Sequence, residues 1–315
     1  MSSYPTTGDR SRVVHSLKKF LNEGGAGHTL ILGEADYASE RVSKAPFFVF
    51  VPRDRMHFFR DDIRTYSAGT SSVPNYKPVR PSELSSLLRS DDFEFGLRVI
   101  AEASGCIVIG VDYHLAPEYQ YPVQLDQFSA VVSWAMGEEG KKRGISKVAG
   151  GGDSAGGNMT AALALKLRDT GKPNMCAQLL VYPEARLPFD TKACTENNSH
   201  ADGSHLYLEA NGIPSFAAHY LPLGVPPSTP YVSPGMQSID YLKNQPPALV
   251  FTSGFDPLRD VGVEYAHKLQ KAGNDVHWTH HPDKTHGWLQ FGPWSKECYE
   301  ATQDLGKQLG KLVYR

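Results

Sequence analysis

One stretch constrains this chain more than any other: Val148-Ala149-Gly150-Gly151-Gly152-Asp153-Ser154-Ala155-Gly156-Gly157-Asn158. An apolar run ends in glycines, a serine follows, and a small-residue helix (Met159 to Leu167) comes next. In a strand–turn–helix setting, the serine of Gly-x-Ser-x-Gly is held on a tight, strained turn with its hydroxyl clear of the backbone. Gly152 and Gly156 leave room for strand and helix to approach closely. The backbone N–H of Ala155, at the helix start, points to where an oxyanion would form. A glycine-rich loop with a chance serine is the competing reading, and the surrounding chain decides between them.

At 315 residues the chain is long enough for one large α/β domain with a cap, or for two domains. Hydrophobic content of 40% and charged content of 21% are those of an ordinary globular protein. A formal net charge of −2, with no long basic run, argues against a nucleic-acid partner. The 12 histidines are scattered rather than spaced as ligands, so no metal site is expected. No apolar run approaches the length of a membrane span. Met1 to Lys19 lacks a signal-peptide core, which leads to the expectation of a cytoplasmic protein. The four cysteines have no C-x-x-C spacing, and Cys106 and Cys176 fall in strand-like runs that suit buried thiols. Nothing in the composition speaks to oligomeric state.

Along the chain, residues 1–12 read as disordered and Val13 to Leu21 as a short amphipathic helix. Phe47 to Val51, bounded by Pro46 and Pro52, reads as a buried strand. Asp62 to Tyr66 and Asn75 to Val79 are weaker strand candidates. From Phe93 the pattern alternates. Strands are expected at Cys106–Val111, Ile145–Ala149, Ala177–Tyr182, Ala248–Thr252 and Val276–His280. Helices are expected at Phe93–Ser104, Leu125–Met136, Asp260–Lys271 and Ser295–Leu312, besides the helix after the serine. Such alternation predicts a mostly parallel sheet covered on both faces. Glu184 to about Pro234 interrupts it, with only a short helical patch at Ile213–Tyr220. An interruption that long inside a compact fold reads as a lid.

A nucleophilic serine needs a base, and the base needs an acid to orient it, in the chain order Ser, Asp or Glu, His for this kind of turn. Asp256, in Ser253-Gly254-Phe255-Asp256-Pro257-Leu258-Arg259-Asp260, follows a strand, and His286-Gly287-Trp288 precedes the last helix. Asp260 competes as the acid but begins a helix and reads better as its N-cap. His277, His280 and His281 compete as the base but fall in or at the end of a strand. Trp288 suits either an alcohol pocket or plain packing. Four motifs in order, Asp112-Tyr113-His114-Leu115-Ala116-Pro117-Glu118, Gly152 to Asn158, Asp256 to Asp260 and His286-Gly287, resemble the hormone-sensitive-lipase-like (family IV) esterases of the α/β-hydrolase superfamily. The resemblance covers roughly residues 92–315.

That resemblance implies an α/β-hydrolase fold with Ser154 as nucleophile, His286 as general base and acid, Asp256 as its orienting carboxylate and the Ala155 N–H in the oxyanion hole. It implies no metal or organic cofactor, and a small to medium acyl ester as the small-molecule partner. The domain reading is an N-terminal cap segment (1–55), the core (56–184), a lid insertion (185–235) and the rest of the core (236–315). N-terminal helix and lid would together cover the acyl pocket. Two other readings keep the fold: a ligand-binding protein, as among the family's plant gibberellin receptors, which lack the histidine kept here, and a metabolite dehydratase or cyclase.

One family feature is missing. The His-Gly-Gly-Gly loop that follows the third strand, and supplies two oxyanion N–H donors, has no counterpart upstream of Ser154. Asp61 to Glu83 resembles the first two strands, and Leu84 to Ser90 then passes almost directly to the helix at Phe93. Removing a single such donor costs roughly 10²–10³ in turnover. A missing central strand would also leave backbone groups unpaired on both neighbours. Phe47 to Val51 is the strand-like run left over to fill the place, although it stands in the wrong order along the chain. Gly24-Gly25-Ala26-Gly27-His28 has the composition of the missing loop in reverse.

Overall fold

The computed structural model describes residues 7–22, 47–52, 65–66, 94–111, 113–196, 206–208, 210 and 213–315. Asn75–Val79, Gly24–His28 and Asp112 lie outside them. In chain order the elements are α1 (His15–Asn22), β1 (Phe47–Pro52), β2 (Thr65–Tyr66), α2 (Glu94–Ser104), β3 (Cys106–Val111), α3 (Val123–Met136) and α4 (Glu138–Lys142). There follow β4 (Ala149–Asp153), α5 (Ala155–Asp169), β5 (Gln178–Val181), α6 (Lys192–Glu196), α7 (Ile213–Tyr220), β6 (Ala248–Phe255), α8 (Arg259–Lys271), β7 (Val276–Thr285) and α9 (Lys296–Val313). The described strands form one sheet in the order β2-β3-β1-β4-β5-β6-β7.

From β4 to β7 the pairing is parallel throughout. Alternate residues of each strand face opposite layers. Val108, Leu179, Val181, Leu249 and Phe251 pack with α1, α2 and α9 through Leu17, Leu97, Ile100, Leu305 and Leu309. Ile107 and Ile109 pack beneath α3 and α5 with Phe128, Val132 and Leu163. Leu180 and Val250 face α8 with Val261, Tyr265 and Leu269. A sheet with both faces covered is the expected architecture, and it explains why these strands read as continuous apolar runs.

The centre of the sheet holds the departure. β1 lies between β3 and β4 and is antiparallel to both, with Phe47 opposite Val111 and Gly152, and Phe50 opposite Val108 and Ala149. The leftover run therefore takes the central place between β3 and β4 and hydrogen-bonds to both. A strand drawn from upstream of both neighbours can take that place in either direction, and here it runs opposite to them. This also corrects the division of the chain: the end of the segment 1–55 assigned to a cap is part of the sheet.

Several boundaries move for the same reason, that backbone pairing outruns apolar pattern. The strand expected at Ile145–Ala149 is instead Ala149–Asp153, so the glycines themselves are strand residues. β6 and β7 run on to Phe255 and Thr285, through Ser253 paired with His281, where polar residues hide the strand from a hydropathy reading. Residues 7–12 are ordered rather than disordered: the Ser11 N–H donates to Pro282 O at 2.9 Å, and Asp9 O lies 2.7 Å from His280 Nε2. α1 then docks by Phe20, stacked at 4.8 Å on Trp294.

Candidate active site

β4 delivers Ser154 to the C-terminal edge of the sheet, where ligand sites of open α/β sheets gather. Ser154 has φ 54° and ψ −121°, a strained conformation for a residue with a Cβ. Its backbone is held on both sides: its N–H donates to Val181 O at 2.9 Å, while its C=O accepts from Asn158 N at 3.1 Å and Glu184 N at 3.2 Å. Gly152 is required by close approach, because a Cβ there would stand 2.3 Å from the Gly156 carbonyl carbon. α5 begins at Ala155, whose N–H is among the first four of the helix and has no acceptor within it.

β6 and β7 end one residue before Asp256 and His286, so sheet pairing sets the spacing of those two side chains. His286 Nε2 lies 2.9 Å from Ser154 Oγ, and His286 Nδ1 lies 2.9 Å from Asp256 Oδ2. Asp256 is wholly buried and its Oδ1 accepts from Leu258 N at 2.8 Å, which fixes the carboxylate. A carboxylate against Nδ1 makes that nitrogen the donor and leaves Nε2 to accept the serine proton. The Tyr182 ring packs 4.5 Å from the imidazole. Gly287, in the left-handed region at φ 75°, turns the chain directly after the histidine. Ser154 is half-buried, so the hydroxyl at one end of this relay can be reached while the acid at the other cannot.

The competitors go elsewhere. His280 Nδ1 contacts Thr252 Oγ1 at 2.9 Å, and exposed His277 lies 3.6 Å from Asp275. Burial pushes His281 down to about 4, where it packs on Phe251 and Trp288. Trp288 is fully buried, with its ring against Tyr182, Phe251 and His281. Asp260 is not an N-cap, since Leu258 holds that position and makes no side-chain cap. Asp260 instead accepts from Arg259 Nε and, from α6, from Ala193 N, both at 2.8 Å.

Sequence reading missed Arg259, although its motif was in view. Its guanidinium, 2% exposed, reaches Gly254 O at 3.2 Å and Glu196 Oε2 at 2.9 Å, and so joins the end of β6 to α6. It also missed Asn158, whose Nδ2 donates to Val232 O at 2.9 Å and Glu184 O at 2.6 Å, tying both segments to the helix after the serine. Beside Ser154, burial drives the Asp153 carboxyl up to about 7, with His286 and Tyr182 drawing it back. Burial likewise raises Glu184 to about 7, opposed by His286.

A mostly parallel sheet covered on both faces, with a strained serine after a central strand and an Asp–His pair after two later strands, defines an α/β-hydrolase. A sequence profile described as alpha/beta hydrolase fold matches residues 88–290, and the chain belongs to that family, in the hormone-sensitive-lipase-like branch its motifs resemble. The chain is 37% identical over 211 residues to the carboxylesterase NlhH of Mycobacterium tuberculosis, an alignment covering 65% of this chain and 63% of that protein. An arylesterase of Saccharolobus solfataricus is 36% identical over 184 residues, 56% of each chain. The chain thus spans less than two thirds of the length of these curated relatives. Among solved structures, an esterase of Pyrobaculum calidifontis superposes with a TM-score of 0.63 at 32% identity, covering 70% of this chain and 71% of that one. A thermostable esterase from Pseudomonas putida, 24% identical, shares the fold with a TM-score of 0.72 over 97% of this chain and 99% of its own.

Proposed function

We propose that the chain is a serine carboxylic-ester hydrolase acting on small to medium acyl esters, with Ser154, His286 and Asp256 as its triad. Ser154 Oγ attacks the ester carbonyl carbon while its proton passes to His286 Nε2. Asp256 holds the imidazolium, and the Ala155 N–H donates to the oxyanion. Collapse breaks the bond to the alcohol oxygen, which takes the proton from His286, leaving an acyl-enzyme. Water then attacks, His286 takes its proton, and the acid departs as Ser154 is regenerated. The lid over residues 185–235 would shape the acyl pocket. No metal or organic cofactor enters this chemistry. The observation that carries the reading is the pair of 2.9 Å contacts linking serine, imidazole and buried carboxylate. The esterases among its relatives support the same class.

A non-hydrolytic member of the family is the second reading, favoured by the direction of β1. Its first residue, Phe47, sits beside Gly152 at the serine edge, and the strand then runs away from it, so the chain leaves β1 at the opposite edge of the sheet. Hydrolysis of p-nitrophenyl acetate and butyrate by wild type and Ser154→Ala, with fluorophosphonate labelling, separates the two. Turnover and labelling that both vanish in Ser154→Ala establish the esterase. Labelling without turnover favours the second reading, and a wild type that does neither overturns the triad.

A further inference from the structure

His286 reaches its serine from across the sheet. It follows β7, whereas Ser154 follows β4, and β5 and β6 lie between those two strands. With Nδ1 on Asp256 after β6 and Nε2 on Ser154 after β4, the imidazole spans the end of β5. Two hydrogen bonds at opposite nitrogens leave one motion open, a tilt of the ring about the line joining them. Tilting bends both bonds away from linear, where they weaken steeply. A third contact, on the ring itself, removes that freedom.

Tyr182, the residue directly after β5, makes that contact. Its ring centroid lies 4.5 Å from that of the imidazole, at an interplanar angle of 55°. The same ring meets the buried Trp288 at 6.0 Å and 79°, and Trp288 packs in turn on Phe251 and His281, so the tyrosine is backed by the core. Its backbone N–H donates to Phe251 O at 2.7 Å, and Val181 O beside it accepts from Ser154 N at 2.9 Å. One short stretch is thus tied both to β6 and to the nucleophile. Tyr182 has φ 36°, in the left-handed region, where an aromatic residue is an outlier. Strain of this kind persists where the surroundings over-determine it, and here it turns the chain out of β5 at the residue whose ring meets the imidazole. Burial, and then Asp153, raise the Tyr182 hydroxyl well above the usual tyrosine range, so the residue brings no charge to the site.

We propose that Tyr182 is a positioning residue, its ring seating the His286 imidazole between Asp256 and Ser154. This rests on the ester-hydrolase reading for the reaction it serves, and the test separates the two. Hydrolysis of p-nitrophenyl butyrate is measured for wild type, Tyr182→Phe, Tyr182→Leu and Tyr182→Met. Each kcat is expressed per site counted by fluorophosphonate labelling, so that unfolded protein does not enter it. Tyr182→Leu should lower kcat by roughly tenfold or more, the size of loss that a small misplacement of a reacting group produces. Tyr182→Met, which fills the space with a flexible chain, should do the same and serves if Tyr182→Leu does not fold. KM should stay within about twofold, because substrate binding is untouched. Tyr182→Phe keeps the ring and should stay within about threefold of wild type. Wild-type kcat in the Leu and Met variants overturns the proposal, as does a rise in KM with kcat held. A Phe variant as slow as those two also overturns it, since the hydroxyl would then be the working part. Crystal structures of wild type and Tyr182→Met put the same question without turnover. The imidazole should be turned and its contact with Ser154 Oγ lost, whereas an imidazole that superposes on that of wild type overturns the proposal. A wild type that neither labels nor hydrolyses loses the ester-hydrolase reading, and the turned imidazole by itself then keeps the positioning role.

Discussion

Ser154 is a residue in the wrong region of backbone space for its type, and the structure around it explains why it stays there. Three backbone hydrogen bonds and the Gly152–Gly156 contact leave no other path from β4 to α5. Asp256 is held as firmly, by one N–H and by complete burial. Asp256→Asn should preserve the shape and lower kcat by roughly 10⁴, because an amide no longer selects the tautomer that leaves Nε2 free. Steady-state hydrolysis of p-nitrophenyl butyrate measures this, and a loss under tenfold would remove Asp256 from the relay. The motif placed these residue types in view. Their 2.9 Å contacts were not legible, because they depend on how far β6 and β7 run before turning.

At the scale of elements, β1 is the part on which the sheet depends. It bridges β3 and β4, pairing Val49 with Ile109 on one side and Gly150 on the other. Val49→Pro removes an N–H and adds a ring in the middle of a central strand, where proline is not tolerated. A loss of at least about 3 kcal/mol is expected, seen as a lower urea midpoint, with the exposed Leu223→Ala as a near-neutral control. An unchanged midpoint would mean β1 is not a central strand. α6 depends on a second connection, Arg259 with Asp260 and Glu196. Arg259→Ala leaves Asp260 buried without its cation, a change that costs about 3–5 kcal/mol for buried pairs. Faster tryptic cleavage at Lys192, at the start of α6, is the expected readout, and protection equal to wild type would refute the connection. The apolar run located β1 but not its partners, since a run of apolar residues carries no address for the strand beside it.

For the whole molecule, stability should depend on pH in a direction set by two buried carboxyls. Burial raises Asp153 and Glu184 to about 7 from ordinary values near 4, so between these limits the folded protein holds protons that the unfolded chain has released. Stability is then greatest below about pH 4 for these two groups and falls as pH rises to about 7, after which it levels. The contribution is of the order of a few kcal/mol, or several degrees in Tm. Thermal unfolding from pH 5 to 8 should show the decline, and Asp153→Asn should flatten it. A wild-type Tm that rises over this range would reverse the sign.

Local chemistry alone determined which residue types stand at the turn, that strands alternate with helices, and that the stretch from Glu184 interrupts them. These depend on short-range backbone preference and on burial, both written in neighbouring residues. Tertiary structure alone decided that Phe47–Pro52 enters the sheet backwards between two later strands, that Asp260 binds Ala193 of α6 rather than capping its own helix, and that Glu184 lies beside the serine. Such pairings join residues far apart in the chain, and their energy comes from completing hydrogen bonds and charges that the chain leaves open until it is folded.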